Sequence, residues 1–266
     1  MNAISLRGAT KSFDQRQVFA PIDLDIAAGQ FISIIGPSGC GKSTMLRIIA
    51  GLEPATAGTV SVDGRRAADA RASKHVAMVP QQPGLLPWRT VEANARLLLD
   101  VNRRANAPTV AAPVELLREV GLGDSLGLYP HQLSGGMQQR VALVRALALG
   151  APLLLLDEPF AALDEITRAD MRDLLNRLID GRLTGEVTTV LVTHSVGEAV
   201  ALSDRVLVVS PRPARVVADI SIGLARPRPS DLDDDRTFLS LCGVVRRALR
   251  QGMLRQGTSA ASELGA

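Results

Sequence analysis

The stretch FISIIGPSGCGKST, residues 31–44, constrains the fold of this chain more than any other. Residues 31–35 form a short apolar run, which predicts a buried strand. A glycine-rich turn follows directly, and residues 44–52 (TMLRIIAGL) carry apolar side chains at helical spacing. A phosphate-binding site in an α/β sheet requires this order of strand, glycine loop and helix, because the loop then presents backbone N–H groups at the start of a helix.

The loop matches the pattern G-x-x-x-x-G-K-[ST] within residues 36–43. Lys42 is placed to reach the β- and γ-phosphates of a nucleotide, and the Ser43 hydroxyl is placed to bind Mg²⁺. The chain has 27 arginines but only three lysines, which favours a chemical requirement for lysine at this position. The predicted phosphate-binding residues are Gly36, Pro37, Ser38, Gly39, Cys40, Gly41, Lys42, Ser43 and Thr44.

Alternating apolar runs along the rest of the chain predict an α/β fold with a largely parallel sheet covered on both faces. Predicted strands are 59–62, 76–79, 153–156, 187–192 and 205–209, and predicted helices are 135–150, 166–179 and 196–202. Helical stretches at 91–99 and 114–120, joined by a polar loop at 101–113, predict a mostly helical insert. Residues 226–230 (RPRPS) predict a linker, 231–256 a helical segment, and the last ten residues a disordered tail.

Composition and charge narrow the class of protein. A length of 266 residues suits one α/β domain with a small subdomain or tail. The net charge is +3 and aromatic residues make up 3%, so we expect neither a basic patch nor a stacking surface for nucleic acid. Cys40 and Cys242 show no disulfide or metal-ligand spacing, which is typical of a reducing compartment. We expect no signal peptide and no membrane span, because no window reaches 18 apolar residues.

Polar side chains follow two of the predicted strands. In LLLLDEP, Asp157 is placed to hold Mg²⁺ and Glu158 to polarise a water that attacks the γ-phosphate, because ligands bind at the carboxyl end of such sheets. The alternative is a turn or helix-capping Asp–Glu pair. His194, at the same edge, could contact the phosphate or orient Glu158, although a lone histidine is more often structural. His75 and His131 lack such a placement and are interpreted as structural or surface residues.

A second glycine stretch, LSGGMQQR at residues 133–140, precedes a predicted helix. Ser134 can cap that helix, and Gly135 and Gly136 expose N–H groups at its positive end. On these residues alone, a plain helix cap and an anion-binding site remain equal alternatives.

Taken together, these stretches resemble the motifs of ABC-type ATPases, in the family's order and over about residues 4–225. In order along the chain, residues 36–44 resemble the Walker A loop, Gln81 the Q-loop glutamine, LSGGMQQR the signature motif, residues 153–158 Walker B with its catalytic glutamate, residues 161–164 (AALD) the D-loop, and His194 the switch histidine. Phe13 stands where the family has an aromatic residue that stacks on adenine.

The chain departs from the family pattern at three positions. Phe13 replaces the commoner tyrosine, which keeps a stacking face but loses the hydroxyl. Ala161 stands where serine is usual, so one hydrogen bond across the subunit interface is in doubt. Pro80 precedes the glutamine where an aromatic is frequent, so Gln81 and Gln82 both remain candidates. The spacing to the following tryptophan favours Gln81.

The resemblance implies a head-to-tail homodimer that binds ATP and Mg²⁺ between Walker A of one subunit and the signature motif of the other. It implies ATP contacts at Phe13, residues 36–44, Gln81, Ser134, Gly135, Gly136, Met137, Gln138, Asp164 and His194. It implies catalytic roles for Lys42, Gln81, Glu158 and His194, and Mg²⁺ ligands at Ser43, Gln81 and Asp157. Candidate contacts to a permease are Leu85, Leu86, Pro87 and Trp88; the alternative is a Trp88 buried in the helical subdomain.

The resemblance also implies a domain plan and a biological role. Residues 1–225 would form the ATP-binding domain with an N-terminal β subdomain and a helical subdomain at about 83–150, and residues 226–266 a linker, a helical segment and a flexible tail. The stretches LLPWRTVEAN and SPRPARV resemble the corresponding sequences of ATPases that serve importers of nitrate, sulfonate or taurine. This resemblance implies two partners, a separate permease and an external solute-binding protein that acts only indirectly. It also implies a location at the cytoplasmic face of the bacterial inner membrane. Alternatives are another cargo such as a pyrimidine precursor, or a soluble ATPase of repair or translation.

Overall fold

The computed structural model describes residues 2–106, 112–181, 187–228 and 232–263, so the predicted loop at 101–113 and the predicted linker lie partly outside the described residues. The strands in these ranges are β1 (Asn2–Phe13), β2 (Arg16–Ala27), β3 (Phe31–Ile35), β4 (Ala57–Val62), β5 (Arg65–Arg66), β6 (Val76–Val79), β7 (Leu153–Asp157), β8 (Thr188–Thr193), β9 (Arg205–Val209) and β10 (Val216–Ser221). The helices are α1 (Lys42–Ile49), α2 (Ala67–Ala72), α3 (Val91–Asp100), α4 (Pro113–Glu119), α5 (Gly135–Leu147), α6 (Glu165–Gly181), α7 (Val196–Leu202) and α8 (Arg236–Glu263).

The central six-stranded sheet has the order β10-β9-β3-β8-β7-β6, and every pairing in it is parallel except that of β10 with β9. β3, β7 and β8 are buried along their whole length, because helices or a second sheet cover both faces. Ile35 pairs with Thr193, and Asp157 with Val192, so the carboxyl ends of these three strands lie side by side. The predicted mainly parallel core sheet is confirmed.

A second sheet, antiparallel and with the order β2-β1-β4-β5, forms the N-terminal β subdomain. Alternate residues of β2 are buried, because one face of the sheet packs on the core and the other meets solvent. Ile22, Leu24 and Ile26 on the buried face join the same apolar cluster as Leu46 and Ile49 of α1. The contact fixes this subdomain against the helix that follows the glycine loop.

Helices α3, α4 and α5 pack against one another and form the predicted helical insert. The core of this insert contains side chains that are fully shielded from solvent, those of Val91, Leu117, Val141 and Val144. It is continuous with the face of the central sheet that carries Leu154 and Leu156 of β7. None of the helices in the described ranges combines the length and apolar character that a membrane crossing requires.

Two features at the end of the chain differ from the sequence expectations. The half-exposed stretch VVADIS forms the antiparallel edge strand β10, which the search for buried apolar runs did not detect. Helix α8 continues to Glu263, although disorder was predicted from Gly257. Alanines, which are strong helix formers, occur in that last part of α8.

Candidate functional site

The glycine loop between β3 and α1 packs too tightly for side chains at two of its positions. A Cβ at Gly36 would lie 2.5 Å from Val209 Cγ2 and 2.7 Å from the Val209 carbonyl oxygen. Gly41 has φ +117°, and a Cβ there would lie 2.4 Å from Val18 Cγ1. The two glycines therefore let the loop pass close to β9 and β2 before the chain enters α1 at Lys42.

The side chains that open α1 point back to the loop and across to the acidic strand end. Lys42 is buried, and its Nζ donates hydrogen bonds to the carbonyl oxygens of Gly36 (2.9 Å) and Pro37 (3.1 Å). Ser43 Oγ donates to Asp157 Oδ1 at 2.8 Å. The fold thus brings together residues that lie 114 positions apart in sequence.

Asp157 lies at the end of β7 with its carboxyl group buried. Burial raises the pKa of this carboxyl, while the hydrogen bond from Ser43 and the charges of Lys42 and Arg47 oppose the rise. Among the described residues no group of three or more His, Cys, Asp or Glu side chains could hold a metal. One carboxylate beside one hydroxyl fits Mg²⁺ instead, since this ion keeps several waters and takes further oxygens from substrate phosphates.

Glu158 and His194 meet at the same edge of the sheet. Glu158 Oε2 lies 3.2 Å from His194 Nδ1, and the His194 side chain is 57% exposed. The Glu158 N–H donates to the Val192 carbonyl oxygen at 2.8 Å, which holds the backbone after β7 against β8. Glu158 has φ +45°, a left-handed conformation that is uncommon for residues other than glycine and that clusters at functional sites.

Gln81 and Gln82 are both exposed, and both line a cavity of about 600 Å³ that Ser43 and Asp157 also line. Both glutamines line the same cavity as the predicted Mg²⁺ ligands, so both remain candidates. The segment after them is fixed by Arg145 of α5, which the sequence did not single out.

Arg145 is buried, and burial lowers the pKa of its guanidinium. Its Nη1 donates to the Gly84 carbonyl oxygen (2.9 Å) and its Nη2 to the Pro83 carbonyl oxygen (2.6 Å). The sequence does contain a signal for this residue, because it is an arginine inside the apolar run VALVRALAL. If that helix is buried, its guanidinium must find hydrogen-bond partners within the protein.

The predicted permease contacts form a loop between β6 and α3. Trp88 is 72% exposed, which contradicts the alternative interpretation that it is buried in the helical subdomain. Asn94 lies beneath the loop and is fully buried. Its side chain accepts from Leu86 N (2.7 Å) and donates to the carbonyl oxygens of Leu86, Arg89 and Thr90. The backbone is therefore fixed while the Trp88 side chain is presented to solvent.

The signature stretch begins α5 and packs against the start of α6. Ser134 caps α5 by accepting a hydrogen bond from Met137 N at 3.3 Å. A Cβ at Gly136 would lie 2.7 Å from Thr167 Cγ2. Thr167 Oγ1 in turn donates to Asp164 Oδ2 at 2.7 Å, and hydrogen bonds from Thr167 lower the pKa of Asp164. The signature stretch and the D-loop are thus neighbours.

The signature stretch does not reach the glycine loop within one chain. In the described part of the molecule no hydrogen bond or ion pair joins residues 134–138 to residues 36–44. The cavity beside Ser43 and Asp157 also has no lining residue from the signature stretch.

A further cluster, absent from the sequence prediction, connects the D-loop through the partly exposed Arg168 to the buried strand that ends before His194. Thr193 Oγ1 donates a hydrogen bond to Glu198, whose carboxylate lies 3.8 Å from Arg168 Nε. Arg168 Nη2 donates to the Leu163 carbonyl oxygen of the D-loop at 2.8 Å. Burial raises the pKa of Glu198, opposed by the hydrogen bond from Thr193 and by the Arg168 charge.

Comparisons with known proteins agree with this geometry. A family model described as ABC transporter matches residues 19–161. Aliphatic sulfonates import ATP-binding protein SsuB 1 of Agrobacterium fabrum is 45% identical over 226 residues, which cover 85% of this chain and 77% of that protein. SsuB of Cupriavidus necator is 44% identical over 252 residues, which cover 94% of this chain and 78% of that protein.

Solved structures show the same fold. A dimeric, post-hydrolysis structure of the ATP-binding cassette MJ0796 with ADP and Pi bound superposes with a TM-score of 0.71 and 31% identity, covering 84% of this chain and 100% of that chain. A second dimeric structure of MJ0796, described as a bacterial ABC transporter cassette, gives a TM-score of 0.71 and 32% identity over the same shares.

Proposed function

This chain belongs to the ABC transporter family, and from that premise we propose that it hydrolyses ATP to power import of an aliphatic sulfonate or a similar small solute through a separate permease. The family domain is an ATP-binding domain, and its activity is that of an ATPase coupled to transport. The observation that supports the catalytic proposal most directly is the pair of contacts at one sheet edge, Ser43 with Asp157 and Glu158 with His194.

Phosphoryl transfer requires mainly positioning and charge stabilisation, and the proposed roles follow from that need. The N–H groups of the glycine loop and the Lys42 ammonium bind the phosphates. Ser43, Asp157 and a glutamine, Gln81 by its spacing to Trp88, would hold Mg²⁺, which would neutralise charge on the phosphate oxygens. Glu158 accepts a proton from the attacking water, and His194, within hydrogen-bonding reach, orients its carboxylate.

The second half of the nucleotide site is proposed to come from another subunit. The signature residues 134–138 are separate from the glycine loop of their own chain, and the two MJ0796 structures are dimers. A head-to-tail homodimer brings the N–H groups at the start of α5 to the nucleotide, with Asp164 at the interface. Phe13, at the exposed end of β1, stacks on adenine.

The loop 85–88 is proposed to dock on the permease, because Trp88 presents a large apolar surface on a backbone that Asn94 fixes. This docking places the chain at the cytoplasmic face of the membrane as a peripheral subunit, and an external solute-binding protein would act on it only through the permease. The names of the relatives favour a sulfonate over a pyrimidine precursor as the cargo.

The catalytic proposal is tested by phosphate release and nucleotide binding in three variants. We expect Mg²⁺-dependent hydrolysis in the wild type, loss of ATP binding in Lys42→Ala, and retained binding without hydrolysis in Glu158→Gln. The control is Glu115→Gln, which makes the same chemical change at an exposed position of α4. Wild-type hydrolysis by Glu158→Gln would contradict the general-base assignment.

The transport proposal is tested by purification from a detergent-solubilised membrane and by sulfonate uptake in vesicles. We expect a polytopic membrane protein to co-purify, and uptake to stop when Glu158→Gln replaces the wild type. Co-purification of ribosomes or DNA in place of a membrane protein would support the soluble class of ABC ATPase and overturn this assignment.

A further inference from the structure

Lys11 and Phe13 lie at the end of β1, next to the proposed adenine site. Alternate side chains of a strand lie on the same face, and these two residues are two positions apart in β1. Lys11 Nζ lies 4.7 Å from the centroid of the Phe13 ring, which is within the range of a cation–π contact.

The Lys11 ammonium is held from its other side by the chain that follows α1. Nζ donates to Glu53 Oε1 at 2.6 Å and to the Pro54 carbonyl oxygen at 2.8 Å. Lys11 is only 6% exposed, so these partners replace the water that the ammonium loses. This contact therefore ties Phe13 to the segment that follows α1, the helix that begins at Lys42 after the glycine loop.

The ammonium of Lys11 lies over one face of the Phe13 ring. The residue is 48% exposed, and a buried ammonium cannot lie on the side that meets solvent. A phenylalanine has no hydroxyl with which to fix its orientation, unlike the tyrosine that is commoner at this position. The Lys11 contact supplies that orientation.

We propose that Lys11, fixed by Glu53, is a positioning residue that holds the Phe13 ring and strengthens its stacking on the adenine of ATP. A cation on one face draws electron density from the ring, which favours an electron-rich purine on the opposite face. A ring that is already fixed also loses less conformational entropy when the base binds. The inference rests on the proposed function, since it requires adenine to bind at Phe13.

The test compares ATP with tripolyphosphate, which has the phosphates of ATP but no base. In Lys11→Met the dissociation constant and KM for ATP should rise about three- to tenfold, because the ring remains but the adenine stacks on it less strongly. Tripolyphosphate affinity, and kcat at saturating ATP, should stay at the wild-type values, because Lys42 and Glu158 are untouched. Lys11→Arg keeps a cation over the ring and should retain most of the ATP affinity.

Lys74→Met is the matched control. The Lys74 ammonium likewise donates hydrogen bonds to protein oxygens, three where Lys11 has two: Leu98 O (2.6 Å), Val101 O (2.5 Å) and Asn106 Oδ1 (2.6 Å), at and after the end of α3. This variant should lose stability without changing the ratio of ATP affinity to tripolyphosphate affinity. An equal change of that ratio in both variants would overturn the proposal.

A double-mutant cycle with Phe13→Ala separates positioning from general damage. Once the ring is absent, Lys11→Met should cause no further loss of ATP affinity, and additive losses would overturn the proposal. If Lys11→Met does not fold, Glu53→Gln weakens the same contact with the lysine in place, and the same selective loss for ATP is expected. If the wild type binds no ATP, the proposed function is refuted. If the wild type binds ATP but Lys11→Met leaves the ratio of ATP affinity to tripolyphosphate affinity unchanged, only this inference is refuted.

Discussion

At the scale of single residues, two buried carboxyl groups near the carboxyl edge of the sheet have pKa values displaced from their ordinary range. Burial raises the pKa of both the Asp157 and the Glu198 carboxyl groups, because a charged carboxylate loses its water. A carboxyl whose pKa is higher in the folded state takes up protons on folding. Its stabilising contribution is complete below the unfolded pKa and is lost as the pH rises through the folded pKa.

Glu198→Gln should remove the part of the pH-dependent loss of stability that comes from Glu198. The variant keeps an oxygen that can accept from Thr193 but has no charge to bury. Its free energy of unfolding, relative to the wild type, should therefore increase as the pH rises from below 4.5, the unfolded value, to above the folded pKa. Urea unfolding at a series of pH values measures this difference, with Glu115→Gln as the exposed control. Parallel pH dependences of Glu198→Gln and the wild type would show that burial does not shift this group.

At the scale of elements, helix α5 joins three parts of the site. It begins at the signature stretch, its residue Gly136 contacts α6 beside the D-loop, and Arg145 near its end holds the carbonyl oxygens of Pro83 and Gly84. A displacement of α5 therefore moves the signature stretch and the segment after Gln81 together, because buried hydrogen bonds and close packing resist independent movement.

The contact between α5 and α6 is tested by Gly136→Ala. Alanine has the higher helix propensity, which alone would stabilise the helix by up to about 1 kcal/mol. The close approach to the Thr167 methyl group reverses that sign, and we expect a net destabilisation of about 1–3 kcal/mol with reduced ATP hydrolysis. Adding Thr167→Ser removes the methyl group but keeps the hydroxyl that donates to Asp164, so the double variant should recover. Denaturant unfolding and phosphate release measure both effects; failure of the double variant to recover would place the cause elsewhere.

At the scale of the whole molecule, the glycine loop and the signature stretch of one chain do not meet. The glycine loop lies at the carboxyl edge of the central sheet, and the signature stretch lies at the start of α5 in the helical insert. The proposal of a head-to-tail dimer makes the two loops of one chain serve different nucleotides.

Mixed subunits test this arrangement. Lys42→Ala disables the glycine loop and Ser134→Arg blocks the signature stretch, so each variant alone should be inactive. In a mixed dimer one site combines both intact halves, and phosphate release should return in part. Mixing Lys42→Ala with Glu158→Gln is the control, because both changes lie on the same half-site and no intact site can form. Equal activity in the two mixtures would mean that each site lies within one chain.

The local signals of the sequence predicted the core of this architecture, whereas contacts between distant segments were missed. The glycine pattern located the loop and placed the start of α1 within two residues, because phosphate loops combine fixed spacing with a buried strand. The partners of Arg145 and Glu198 lie far along the chain or depend on the packing of α6, which no local period reports. The left-handed Glu158 likewise depends on its bond to β8. The cargo left no signal, because the solute is expected to contact the permease and the solute-binding protein.

The hydrogen bonds of the three lysines affect how fast an amine-reactive reagent can label each one. Lys11, Lys42 and Lys74 each donate hydrogen bonds to backbone carbonyl oxygens, so acylation of any of them requires these hydrogen bonds to break first. An amine-reactive reagent followed by mass spectrometry would therefore record three separate opening rates, at the end of β1, at the glycine loop and at the end of α3. Because the other basic side chains are nearly all arginines, which such a reagent does not acylate, the rate at each lysine reports local opening of the folded protein at that position.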